Sequence, residues 1–192
     1  MNFVIDPRKN WAKAEKLLSE EKNPRARQIL ETLVIHSKAE AAADFDSLMA
    51  TVAPNAHYHS HATDDPAMNA ANSPRGKDEV AAYYKGIVAS GCHFIEHDIE
   101  RMVVGRNALT TEGDLKMAYP GAVLEAMSID VPDPVALYLY QRRLLIVWEF
   151  DENGLLLCED SYAGAGGLGF ADIGERILST EEIYRVGPQD AP

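Results

Sequence analysis

The sequence predicts an α+β fold, a cone in which N-terminal helices pack on a strongly curved antiparallel sheet and enclose a pocket. Two observations predict it. Apolar residues recur at helical spacing through the first third of the 192-residue chain. From residue 93 the period changes to two, over four successive segments joined by short turns or one longer connection. No internal repeat and no interdomain linker breaks the order of helices, one strand, a helix and four strands. Such an order suits a bent sheet wrapped around helices, with a pocket at its wide end.

The elements follow from local chemistry. Asp6 and Pro7 read as an N-cap and a first helical proline, followed by Trp11, Ala14, Leu17 and Leu18 at helical spacing. Asn23-Pro24 repeats the signal, ahead of a stripe of Ile29, Leu30, Leu33 and Val34 that Ala39 to Ala43 extend. Asp44 caps a third helix carrying Leu48, Met49 and Val52, and Pro54 stops it. Residues 56–62 read as a short strand and 63–76 as a loop. A helix then runs from Lys77 to Ser90 and ends at Gly91. Strands are expected over 93–104 and 108–119, joined by Gly105-Arg106-Asn107, and over 137–150 and 155–162, joined by Asp151-Glu152-Asn153-Gly154. The connection 120–136 is long enough to suggest a lid. The tail from Ala163 is glycine-rich, then helical or mobile.

Composition excludes some partners. The net charge of −12 argues against nucleic acid and against an anionic membrane surface, both of which attract Lys and Arg. Cys92 and Cys158 are the only cysteines, too few for a disulfide framework, and no CxxC pair points to a thiolate zinc site. The first residues lack the apolar core of a signal peptide, and no apolar run approaches the ~18 residues of a membrane span. The expectation is a reduced, cytoplasmic protein that takes a small molecule.

Several motifs are candidates for chemistry. Gly164-Ala-Gly166-Gly-Leu-Gly169 has the form GxGxxG, but a dinucleotide site needs a βαβ unit and only 23 residues follow. A flexible hinge is the favoured reading. His57, His59 and His61 share one face of a strand, too extended for all three to bind one ion. Two of them with a donor from elsewhere could; the favoured reading is a polar strand edge or a subunit contact, and no metal ligand is assigned. Tyr58 and Ser60 lie on the opposite face, which reads as the pocket side. His93 and His97 share a face of the next strand, and Glu112, Asp114 and Lys116 share a face of the strand paired with it. These groups suit acid–base chemistry if inward, or surface ion pairs if outward. Arg142 and Arg143 interrupt the most apolar strand; an inward Arg would need a carboxylate from Glu159 or Asp114.

Asn55-Ala-His-Tyr-His-Ser60, Arg75-Gly-Lys-Asp-Glu-Val-Ala-Ala-Tyr-Tyr84, Gly91-Cys-His-Phe-Ile95 and Trp148-Glu-Phe-Asp-Glu-Asn-Gly-Leu-Leu156 running to Asp160-Ser-Tyr162 occur in this order. Together they resemble the nuclear transport factor 2-like superfamily, in particular its SnoaL-like branch. The resemblance covers roughly residues 25–163 and implies a helical extension over 1–24 and a tail over 164–192. It implies the cone fold and a homodimer or higher homo-oligomer. The superfamily includes ketosteroid isomerase, scytalone dehydratase, limonene epoxide hydrolase and polyketide cyclases, along with non-enzymatic transport and assembly domains. His93 matches a catalytic histidine of the dehydratase, Tyr58 a water-positioning tyrosine of the epoxide hydrolase, and Tyr84 a pocket tyrosine of the isomerase. Ser60 falls where the isomerase has its catalytic aspartate. Asp114 falls near the hydrolase acid, but Glu112 stands where that enzyme has an arginine. Counting back from the Gly154 turn puts Arg142, Leu144 and Ile146 on the pocket side, facing Glu159 and Ser161.

What this implies is a lyase or isomerase without a cofactor, acting on a hydroxylated aromatic or polycyclic compound such as a lignin-derived diaryl molecule. His93, Asp114, Tyr58 and Tyr84 would be catalytic; Arg142, Glu112, His97, Glu159, Ser60 and Ile146 would bind substrate. An epoxide hydrolase or polyketide cyclase, and a non-catalytic ligand-binding or assembly module, are the alternatives.

Overall fold

The computed structural model describes residues 3–164 and 167–190. Helix α1 (Lys9–Glu20) begins after a turn at Pro7, and the Asp6 carboxylate accepts from the Arg8 backbone and guanidinium rather than capping the helix. Helix α2 (Pro24–Ala41) is capped as the sequence predicts, with Asn23 accepting from the Arg25 and Ala26 N–H groups. It buries Ile29, Leu30, Leu33 and Val34. Helix α3 (Phe45–Ala50) is capped by Asp44, which accepts from Ser47. Strand β1 is short (His59–His61), and the expected loop after it holds a one-and-a-half-turn helix, α4 (Pro66–Ala71), with no buried residue. Helix α5 (Lys77–Ala89) ends where Gly91 takes a left-handed φ of 76°.

Strands β2 (Ile95–Val104), β3 (Ala108–Pro120), β4 (Leu137–Phe150) and β5 (Leu156–Ala163) form the sheet in the order β1-β5-β4-β3-β2. The β1–β5 edge is parallel, with His59 beside Asp160 and His61 beside Tyr162; the other pairs are antiparallel. The 120–136 connection is no free lid. Its helix α6 (Gly121–Ala126) buries Leu124 against Tyr138, Tyr140 and Ile173, and the Gly121 N–H donates to the Ala136 carbonyl. The tail makes a 3₁₀ turn (Ile173–Glu175) and a two-residue strand, β6 (Ile177–Leu178), against the start of β4. Ala165 and Gly166 of the glycine motif lie outside the described residues. Among those described, no βαβ unit surrounds Gly164, Gly167 and Gly169, and the Gly169 N–H simply donates to Gln141 on β4.

The bend of the sheet has a local cause. β2 carries a register shift between Ile99 and Arg101, opposite Gly113 of β3. A Cβ on residue 113 would lie 2.0 Å from the Asp98 carbonyl oxygen, so only glycine lets β2 fold this closely over β3. The concave side thus formed takes the odd residues of β3 and the even residues of β4. There Leu109, Leu144, Ile146 and Trp148 meet Leu30, Leu33 and Val80 from the helices in the main core. The buried Trp148 indole N–H donates to Thr111 at 3.0 Å, satisfying both.

The N-terminus is tied to the convex side by charge. Glu96, fully buried, accepts from the Asp6 N–H at 2.6 Å and from the ammonium groups of Lys9 and Lys116 at 3.1 and 3.0 Å. Ile5 then bridges to Ile183 of the tail. The segments around Ile5 and Ile183 therefore cover the same part of the sheet, against Ala118 of β3.

Gly113→Ala is expected to cost about 2–4 kcal/mol in urea unfolding, because backbone must move to admit the methyl group. Gly86→Ala, in open space on α5, should instead raise stability by about 0.5–1 kcal/mol. Equal effects would show that the close approach at Gly113 is not a constraint.

Candidate active site

Between the concave face and helices α2 and α5 lies a cavity of about 290 Å³. Its wall is mostly apolar, with Leu33, Ile87, Leu115 and Ile146 among the lining residues. Among its polar groups, β5 contributes Glu159 and Ser161, α2 contributes Glu40 and Ser37, α5 contributes Tyr83 and Tyr84, and β2 contributes His97.

Behind this wall runs a chain of hydrogen bonds. Thr51 Oγ1 donates to the Leu48 carbonyl at 2.6 Å and lies 2.8 Å from His36 Nδ1. His36 Nε2 lies 2.9 Å from Tyr84 Oη, which lies 3.0 Å from Glu159 Oε2 and 3.5 Å from Tyr58 Oη. The protons can be counted. The only hydroxyl proton of Thr51 goes to Leu48, so His36 must donate from Nδ1. Burial lowers the His36 pKa to about 3, so the ring is neutral and Nε2 carries a lone pair. Tyr84 then gives its only proton to His36, and its oxygen is left as an acceptor. A close contact with Glu159 is satisfied when that carboxyl carries the proton and donates it to Tyr84.

Burial works in the same direction as this count: it raises the pKa of Glu159, while a hydrogen bond donated by Tyr84 would lower it. Burial also raises Glu40, and the neighbouring Glu159 charge adds to the effect. Burial first, and the charge of Glu159 second, push the Tyr83 and Tyr84 phenols up and keep them neutral. His97 is lowered to about 4 by burial, and its Nε2 has no partner among the described residues. The site is therefore a neutral imidazole, neutral phenols and two carboxyls that resist joint ionisation.

The sequence pattern of the SnoaL-like domain matches residues 35–155, more than half of the chain. The chain belongs to the SnoaL-like family. Solved structures share its fold. A putative SnoaL-like polyketide cyclase from Shewanella putrefaciens is 12% identical, with a TM-score of 0.58 over 85% of this chain and 91% of its own. One from Shewanella denitrificans is 15% identical, with a TM-score of 0.57 over 80% and 98%. A Mycobacterium tuberculosis protein in complex with estradiol-17beta-hemisuccinate is 12% identical, with a TM-score of 0.53 over 72% and 95%. No curated protein sequence matches the chain.

Of the residues singled out from the sequence, Tyr84, His97, Glu159, Ser60 and Ile146 line the cavity of this SnoaL-like chain. Tyr58 is buried one step behind, against Tyr84. Four expectations need correction. His93 precedes β2, where strand alternation does not yet hold, and its ring lies on Phe94 outside the cavity; His97 takes the inward place. Asp114 and Glu112 occupy even positions of β3 and face outward, where Arg143 binds both along with Glu100, and Arg101 binds Glu112. Arg142 has the inward parity but lies beyond the cavity, its Nε donating to the Gly164 carbonyl at 3.1 Å. Arg143, not Arg142, meets the carboxylates.

Glu40, His36 and Tyr83 escaped the sequence reading. The signal for Glu40 and His36 is present in the sequence: Glu40, like Ser37, follows Leu33 at helical spacing (i+7 and i+4), a polar residue in the buried stripe of α2. His36 lies at i+3 from Leu33, equally inward.

The neutral state of His36 can be tested by linkage. Its folded pKa, about 3, lies below the ordinary 6.5, so the unfolded chain binds the extra proton first. This contribution to stability is complete above pH 6.5 and is lost as pH falls towards the folded value. Between pH 7 and 5 the parent should lose about 2 kcal/mol more than His36→Gln. Equal losses in urea unfolding at the two pH values would mean that His36 is not held neutral, and the assigned Tyr84 proton direction would fall with it.

Proposed function

We propose that this SnoaL-like chain is an acid–base enzyme, a lyase or isomerase, acting on a hydroxylated aromatic or polycyclic small molecule. The observation that carries the reading is the Glu159–Tyr84 contact of 3.0 Å, backed by His36 and set beside Glu40 in a cavity with mainly apolar walls. An apolar wall with a few convergent polar groups suits a ring-bearing ligand. Two carboxyls of which the charge on one opposes ionisation of the other can present one protonated and one ionised group, an acid and a base at once.

The step can be written with the protons balanced. The ionised carboxyl of the Glu40–Glu159 pair removes a proton from substrate carbon or hydroxyl. The protonated one gives its proton to the departing or rearranging oxygen. After an elimination the pair has exchanged roles and carries the same number of protons. Tyr84 fixes the orientation of Glu159, and Tyr58 supports Tyr84 from behind. His97, with its free Nε2 at the floor, is suited to bind a substrate hydroxyl. The epoxide hydrolase alternative loses support, because Asp114 lies in the outward cluster around Arg143.

Screening against hydroxylated aromatic and polycyclic compounds tests the reading. Glu159→Gln keeps a donor towards Tyr84 but cannot exchange a proton, and should lower kcat/KM by about 10²-fold or more. Glu40→Gln should do the same. His93→Ala and Asp114→Asn should stay within about threefold of the parent. Activity in Glu159→Gln within tenfold of the parent would remove the carboxyl from the chemistry. Tight binding of a panel compound with no turnover by the parent would favour a binding module.

A further inference from the structure

The opposite face of β5 holds a second cluster of reactive side chains, which the acid–base reading does not use. β1 and β5 run parallel with His59 beside Asp160, and the His57 N–H donates to the Leu157 carbonyl at 2.8 Å. Residue 57 therefore lies level with Cys158. Alternation turns His57 and His59 of one chain segment, and Cys158 and Asp160 of the other, to the same convex side. Asp160 Oδ1 lies 2.8 Å from His59 Nδ1 and 2.9 Å from Cys158 Sγ. The three donor atoms lie within 4.8 Å of one another. The His57 ring stands edge-on to His59 at 5.5 Å between centroids.

We propose that His59, Cys158 and Asp160 bind a divalent transition-metal ion of the zinc type, with His57 as the fourth donor. Bonds of about 2.0–2.3 Å to a tetrahedral ion separate donors by roughly 3.3–3.7 Å. The Asp160 oxygen would move out by a few tenths of an ångström from His59 Nδ1 and Cys158 Sγ, which already lie within 4.8 Å of each other. Imidazole and thiolate select a borderline or soft metal over calcium or magnesium, whose oxygen-rich sites look different. The sequence lacks a paired-cysteine motif, and here the sheet register brings the donors together instead.

The charge balance favours a cation. Asp160 accepts from both the imidazole N–H and the thiol S–H in the ion-free arrangement. A dication takes the place of those two protons: the thiol proton leaves to solvent, and the imidazole proton moves from Nδ1 to Nε2. Glu149, exposed on β4 directly across from Cys158, adds negative charge. His59 and Asp160 are partly open to solvent, giving a path for entry, while Cys158 is buried. His61 stacks on Tyr162 at 4.8 Å and stands apart from the group.

Cobalt(II) titration of the chelator-treated chain tests the site. One Co²⁺ per chain should bind, with a thiolate-to-cobalt charge-transfer band in the near ultraviolet and strong visible bands of a four-coordinate ion. Zn²⁺ should displace it and raise Tm. Cys158→Ser should abolish the near-ultraviolet band, and Cys92→Ser should keep it. His59→Ala and Asp160→Asn should each weaken binding at least tenfold, His61→Ala by less than about twofold. Circular dichroism and Tm of each ion-free variant separate loss of the site from loss of the fold, and Asp160→Asn replaces Cys158→Ser if the latter does not fold. Binding without a charge-transfer band, a band unchanged in Cys158→Ser, or equal losses in His61→Ala and His59→Ala would overturn the assignment.

Discussion

At Gly113 the backbone of β3 passes so close to Asp98 that no side chain fits between them, and β2 takes its register shift beside that point. The rest of the architecture depends on this approach. A flat sheet of the same strands would present its apolar face to helices along its whole length and close the space between. A bent one touches the helices at its sides and leaves a hollow, with Thr111 and Leu115 of β3 on its wall to either side of the glycine. The same bend turns the even residues of β3 to the convex side. Glu112 and Asp114 therefore meet Arg143 there, in a solvent-facing cluster in which hydrogen bonds from Arg101 and Arg143 hold the Glu112 carboxyl down to about 2.

Inside the hollow, the order of hydrogen bonds is set by a backbone carbonyl well outside it. Leu48, at the end of α3, takes the proton of Thr51, and every later choice of donor follows along His36 and Tyr84 to Glu159. Burial enforces the chain, because an imidazolium at His36 would have no counter-ion and a bare phenolate at Tyr84 would face a carboxyl. Such networks are useful to chemistry only when every member is satisfied, and this one leaves a single adjustable proton at its open end. The two faces of β5 carry different groups. Glu159 and Ser161 look into the cavity, while Cys158 and Asp160 look out towards the histidines of β1.

The helix caps at Asn23 and Asp44, the terminator at Gly91, the four long strands with their two turns, and the sharing of one face by Leu144 and Ile146 and of one face by Glu159 and Ser161 all follow from local spacing and turn chemistry. The family is legible as well, through the resemblance carried by the motifs from Asn55 to Tyr162, and the family pattern matches residues 35–155. These features depend on short-range geometry, which a sequence carries in full: alternation, helical period and the special backbone needs of glycine and proline. What only the tertiary structure decided is which face of each strand becomes concave. That choice depends on a close approach of Gly113 to a residue fifteen positions away. It sent His97 inward and left His93 outside, sent Asp114 outward, and brought Glu40 and His36 of α2 up to Glu159 of β5. Alternation fixes that two side chains share a face; it holds no information on which face the sheet will close around, because that depends on contacts between strands and helices far apart in the chain.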